Sequence, residues 1–203
     1  MISFDDLRIY LPQYLTEESQ KNLFSELEQF PENMDDRLYE TVHKNTEIIF
    51  QGDGIKDLLF VNLPDISVDK ASGMIVSNTC DIDISNERLI APNILYAPIL
   101  KLDKVLAMLA ENGFEKERVD GYCRSIVEQK ITQIFYLPRG GLLEDHSIAM
   151  LDKICSCDSE LIDRGSLKDL RLFTLSQYGL YLFLIKLSIH FTRVREAVDR
   201  ALI

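Results

Sequence analysis

The amino-acid sequence predicts an α+β fold: a small barrel or sandwich of about five short strands, carrying inserted helices and a helix at either end. Three observations predict it. Apolar runs of four to seven residues recur between residues 47 and 100, separated by Gly, Pro and Asn turn signals. The apolar period then changes to the helical one over residues 102–112 and 116–130, as it does over 16–30. Last, the segment from Ser176 is apolar nearly all round to Leu187 and basic after it, the pattern of a helix whose first half is buried.

The chain has 203 residues, 46% hydrophobic and 27% charged. That balance is ordinary for a globular domain and excludes a disordered tail, a collagen-like fibre or a disulfide-dense mini-protein. A chain of this length removes roughly 70% of its unfolded surface from water, so it can build a core without staples.

Residues 16–30 read as a helix with Thr16 as N-cap, Glu17 and Glu18 at the positive end of the dipole and Pro31 as its stop. Residues 47–51 and 58–63 read as strands around the turn Gly52-Asp53-Gly54, and residues 64–72 as a polar loop. Strands follow at 73–77, 88–91 and 94–100, the last two divided by Pro92-Asn93. Leu102, Val105, Leu106 and Leu109 mark one face of the helix over 102–112, which Gly113 ends. The helix over 116–130 uses Val119, Tyr122, Cys123, Ile126 and Val127, with Gly121 as its weak point. Strands resume at 131–137 and 147–156, around Pro138-Arg139-Gly140-Gly141, and a helix runs from Ser176 to about Arg200. The organisation is an N-terminal helical segment (1–45), a strand-rich body (46–165) with its helical insertion at about 101–130, and a C-terminal helix (166–203) packed on the body.

The net charge is −11, of which residues 1–60 carry −8, residues 61–165 carry −6 and residues 166–203 carry +3. A phosphate backbone is steered by a positive field, so RNA is disfavoured as a partner. Arg171, Lys186, Arg193, Arg195 and Arg200 either form a local basic patch or sit on a solvated helix face, the more ordinary arrangement. Cys80, Cys123, Cys155 and Cys157 include no CxxC pair, and the potential metal ligands, those cysteines with His43, His146 and His190, are scattered. Reduced thiols, no metal and no cofactor are expected. The N-terminus lacks a basic region followed by an apolar run, and the longest apolar stretch, Leu180–Ile185, is too short for a bilayer. A cytoplasmic protein with no membrane partner is expected.

Ser77-Asn78-Thr79-Cys80-Asp81 follows an apolar strand, where a rigid scaffold often presents chemistry. One reading takes Cys80 as a nucleophile or Asp81 as a base, held by the Ser77 and Thr79 hydroxyls, with His43 or His146 folded onto the thiol. The other takes Asn78, Thr79 and Asp81 as makers of side-chain-to-backbone turn bonds around a small buried Cys80. Asp81-Ile82-Asp83 lacks the glycine and glutamate of a calcium loop. Arg139 is an anion ligand in its loop or simply part of a turn. Tyr178, Tyr181, Phe183 and Phe191 are core residues before they are a nucleobase platform.

Gln51-Gly52-Asp53, the run LLFVNLP at 58–64, GMIVSNT at 73–79 and YAPIL at 96–100 resemble the opening of MazF/PemK-type toxins, small SH3-like barrels that cut RNA. Gly52-Asp53, Leu63-Pro64, Met74–Ser77 and Ala97-Pro98-Ile99 match the family's order over a quarter of the chain. The resemblance implies an SH3-like barrel and, since such toxins are commonly dimers, a homodimer. It also implies a site in which an arginine stabilises the transition state and a threonine assists proton transfer. Here Ala71 or Ser72 stands at the arginine position and Leu100 at the threonine position. Neither Ala71 nor Leu100 can replace those groups, and the neighbouring Lys70 is a point charge without the guanidinium fork.

The expected function is therefore a protein-interaction subunit built on a divergent MazF/PemK-like barrel, of a bacterial toxin–antitoxin or anti-phage defence system, with the ribonuclease activity lost. The alternative is an endoribonuclease using substitute residues, with Lys70, Ser77, Thr79 and Asp81 lining its site. A third option is a cysteine-dependent enzyme centred on Cys80.

Overall fold

A computed structural model describes residues 17–41, 47–62, 64 and 67–192 and has a mixed α+β architecture around one antiparallel sheet of seven strands. β1 (Gly54–Asn62) and β2 (Ser67–Ile75) form a long hairpin, and β3 (Asn93–Lys101) lies beside β2. β4 (Ile134–Leu137), β5 (Ser147–Met150), β6 (Cys155–Asp158) and β7 (Arg171–Phe173) complete the sheet. The order is β4-β5-β3-β2-β1-β7, with β6 extending the β5 edge of β3. The outer strands β4 and β7 share no ladder, so the sheet is not closed.

Among the described residues six helices accompany it: α1 (Glu17–Glu28), α2 (Thr79–Ile82), α3 (Leu102–Glu111), α4 (Lys116–Val127), α5 (Leu167–Leu170) and α6 (Gln177–Thr192). Successive strand residues point to opposite faces, and both faces are covered. Met74, Ala97, Phe135 and Phe173 pack on one face with Tyr178, Leu182 and Phe183 of α6 and Leu23 of α1. Ile55, Leu58, Phe60, Ile75, Ile94 and Tyr96 form a second cluster with Ile82, Ile162 and Leu167. Under the α3–α4 hairpin, Ile126 packs on Ile134, Tyr136 and Ile148. α6 approaches the 3-10 turn Asp36–Leu38 closely because residue 179 is glycine: a Cβ there would stand 2.3 Å from the Leu38 carbonyl oxygen. Ser176 caps α6, its Oγ accepting from Gly179 N at 3.1 Å while donating to the Arg37 carbonyl at 2.7 Å.

Several elements differ from the sequence expectation, each for a local reason. Residues 47–51 are not a strand, because Phe50 N and Gln51 N donate to the side chains of Asp53 and Thr79 rather than to a ladder. The expected loop at 64–72 is largely β2, whose outer half pairs with Leu59–Asn62 while exposed, so it lacks an apolar face to announce it. Residues 88–91 are not a strand either: Leu89 and Ile90 project into solvent. The run 147–156 is broken at 151–154 into β5 and β6, which pair with β3 three residues out of step. β7 has only three residues and no periodicity to read. The helices at 102–112 and 116–130 form as α3 and α4, with Gly113 at φ 84° ending the first. Thr16, His43 and residues 193–203 lie outside the described residues. No helix among the described residues is long and apolar enough to cross a membrane.

Two cations expected on a solvated helix face are instead buried. Arg171 is 4% exposed, and its Nε lies 3.1 Å from Oδ2 of Asp53, itself fully buried. Lys186 is 6% exposed and donates to the Gln129 carbonyl. Phe191, expected in the core, is 62% exposed at the end of α6.

Breaking a buried pair strands the partner charge, which costs about 3–5 kcal/mol. Asp53→Ala should lose that much in urea-induced unfolding. Burial alone pushes the Lys186 ammonium down to about 8. Between pH 8 and its unfolded pKa of about 10.4, the unfolded chain binds the extra proton. Stability should therefore rise with pH through that window, by no more than roughly 3 kcal/mol, and stay level below it. Lys186→Met should remove this rise in thermal melts taken between pH 7 and 10.5.

Candidate functional site

β1 and β2 fall out of step between the pairs Ile55↔Gly73 and Leu58↔Ala71, so Lys56 and Asp57 together oppose Ser72. This is a β-bulge, a device that re-aims side chains at sheet edges and sites. Asp57 takes a φ of 60°, in the left-handed region that costs a non-glycine residue about 1–2 kcal/mol. The bulge brings Lys56 to a groove of about 350 Å³ shared with Ser72, Lys101, Asp145, Ser147 and Leu142. Alternation along β3 sets the rest: Ile99 and Lys101 line the groove, while Leu100 lies on the other face, opposite Ile148.

Lys101 and Asp145 form an ion pair across the groove, both half-exposed. The hydrogen bond from Lys101, then its charge, holds the Asp145 carboxyl below the usual carboxylate range, against a smaller opposing effect of burial. The same bond pushes the Lys101 ammonium up. Ser147 is buried and donates from Oγ to the Asp145 carbonyl at 3.0 Å. Two ammonium groups and the Ser72 hydroxyl can hold an anion here. They provide no planar fork for a phosphoryl transition state, and a carboxylate engaged by Lys101 is a weak proton acceptor.

The Ser77–Asp81 cluster lies elsewhere and is occupied with backbone. Ser77 Oγ accepts from Leu95 N at 2.8 Å, Asn78 Oδ1 from Cys80 N at 2.9 Å and Thr79 Oγ1 from Gln51 N at 2.9 Å. The Cys80 carbonyl accepts from both Asn86 Nδ2 and Arg88 Nη2 at 2.8 Å, and Arg88 also stands 3.5 Å from Asp81. Cys80 is exposed rather than a buried apolar filler. Ser77 and Thr79 thus join the start of β3 and the turn before β1 to the segment after β2, while Asn78 caps α2 locally.

The remaining residues singled out in the sequence are not gathered with that cluster. Lys70 sits on the exposed arm of β2 opposite Leu59, about 20 Å along the strand from Ser77. Ala71 is half-buried opposite Leu58. His146 stacks on Tyr136 and shares a 2.8 Å hydrogen bond with its hydroxyl, about 20 Å along β3 from the Leu95 that Ser77 holds. Arg139 is exposed in a turn closed by the Gly140–Leu143 bridge. Tyr178, Tyr181 and Phe183 are core. No group of three His, Cys, Asp or Glu side chains among the described residues could hold a metal ion.

Lys56, Lys101, Asp145 and Ser147 escaped the sequence reading. The signal for the first was the charged pair Lys56-Asp57 interrupting an apolar run, a mark of a bulge; Lys101 was visible only as the next same-face residue after Ile99. Compared with family models and with the sequences of curated proteins, the chain matches none.

Since Asn78 caps α2, Asn78→Ala should lower stability by about 1 kcal/mol. Cys80→Ser, at an exposed thiol, should change it by less than about 0.5 kcal/mol. Chemical denaturation of the two variants separates these outcomes.

Proposed function

We propose that this chain is a divergent MazF/PemK-like SH3-type barrel acting as a protein-interaction subunit, of a bacterial toxin–antitoxin or anti-phage defence system, without the family's ribonuclease activity. The observation that carries the interaction reading is the segment after α2. Ile84, Leu89 and Ile90 are 70%, 106% and 84% exposed, beside Asp81, Asp83 and Glu87. Large aliphatic side chains this exposed within one short segment are what a docking surface presents, and the neighbouring acidic residues favour a basic partner with an apolar pocket.

The barrel reading draws support from the β1–β2–β3 meander and from Leu142 N, which donates to the Leu172 carbonyl at 2.7 Å and ties the turn after β4 to β7. Loss of cleavage draws support from Ser72 and Lys101 standing in the groove, with Ala71 and Leu100 turned to the other face.

A second reading, an endoribonuclease using substitute residues, is favoured by one observation: the bulge aims Lys56 into the groove that holds Ser72, Lys101 and Asp145. Incubation with mixed-sequence single-stranded RNA at stoichiometric protein decides between them. We expect no cleavage; cleavage abolished by Lys101→Ala would replace the first reading with the second. For the interaction itself, the combined variant Ile84→Ser, Leu89→Ser, Ile90→Ser should keep its fold and bind the partner recovered from the host at least tenfold more weakly. A homodimer that this variant dissociates would make the partner a second copy. A lone monomer that recovers no specific partner would overturn the reading.

A further inference from the structure

Lys186 is the only Asp, Glu, Lys or Arg residue in α6 and one of the few charged groups in the protein's interior. It is 6% exposed, and among the described residues no carboxylate lies within ion-pair distance of it. Its one hydrogen-bond acceptor is the neutral carbonyl of Gln129. The nearby Glu128 is engaged with Lys130. Gln129 is itself fixed, its side chain donating to the Tyr136 carbonyl at 3.0 Å and accepting from Tyr136 N at 3.2 Å. The ammonium is thus held at a set position with no counter-charge among the described residues.

Lys186 and Gln129 line a cavity of about 230 Å³ whose other walls are apolar: Leu27 and Phe30 from the end of α1, Phe135 from β4, and Leu182, Ile185 and Ile189 from α6. We propose that this cavity is a binding site for a small apolar monocarboxylate, with Lys186 as the counter-ion of the carboxylate and the aliphatic and phenyl walls enclosing its hydrocarbon body. Concave, mostly apolar sites with a few placed polar groups are how proteins bind small ligands. The volume lies just under the usual range of about 300–1,000 Å³, which selects a short chain or a single ring over a nucleotide or a long acyl chain. A neutral ligand would leave the charge uncompensated, and a dianion would bring one charge too many. Burial lowers the Lys186 pKa only to about 8, so the ammonium form predominates at neutral pH.

The test is calorimetric titration of the full chain at pH 7 with octanoate and, separately, with octan-1-ol, which has the same chain length and no charge. The site binds octanoate one to one and at least tenfold more tightly than the alcohol, and Lys186→Met erases that preference. No saturable octanoate binding, equal affinity for the two probes, or a preference that survives Lys186→Met overturns the proposal. Should Lys186→Met fail to fold, Ile189→Trp, which fills the cavity and leaves the ammonium in place, must abolish octanoate binding; unchanged binding overturns the proposal equally.

Discussion

Asp53 is the point at which three separate stretches of chain are tied together. Its side chain accepts from Phe50 N at 2.9 Å and from the Thr174 hydroxyl at 2.6 Å, and meets the Arg171 guanidinium at 3.1 Å. Arg171 in turn donates to the Ile48 carbonyl. The Asp53 main chain continues the pattern, its carbonyl accepting from Ile75 N at 2.8 Å. A carboxylate and a guanidinium taken out of water repay their desolvation only when their remaining donors and acceptors are met, so this geometry tolerates few alternatives. Glycine at 52 is part of it: φ is 87°, and a Cβ would stand 2.6 Å from Leu175 Cδ1.

From that knot the sheet spreads with both faces covered, and the consequence is a division of labour along each strand. Residues on one face build the core with α6, and those on the other build the two smaller clusters. On the sheet itself a functional surface can then arise where the alternation is disturbed or where a strand outruns its cover. Both occur. The Lys56-Asp57 bulge turns a lysine into the groove, and the exposed end of the β1–β2 hairpin leaves Val61 and Val68 in solvent.

The electrostatics follow the same division. An acidic chain places its surplus charge at the surface, while two of its cations sit inside under opposite circumstances. Arg171 is paired, bonded and structural; among the described residues Lys186 has only a peptide carbonyl and a cavity beside it. The difference matters because a buried charge is costly unless it is paired, and the pair meets that requirement within the fold whereas Lys186 leaves it open.

The element types were legible where periodicity was long: α3, α4 and α6 follow from stripes or continuous apolar runs, and β3 from seven apolar residues after Pro92-Asn93. The Gly52-Asp53-Gly54 turn was legible too, but not that Asp53 would be buried, since its partner lies 118 residues away. Ser77–Asp81 stood out because polar residues cluster there, yet its hydroxyls and amide hold backbone; the groove residues did not stand out, because each is an ordinary lysine, serine or aspartate in its own segment. What the sequence by itself determined was the α+β class and most of the element order, since these depend on contacts between near neighbours repeated at a fixed spacing. Only the tertiary structure decided which charges are buried, which strand residues share a groove and which cavity faces Lys186, because those properties arise from single contacts between distant segments that leave no period behind.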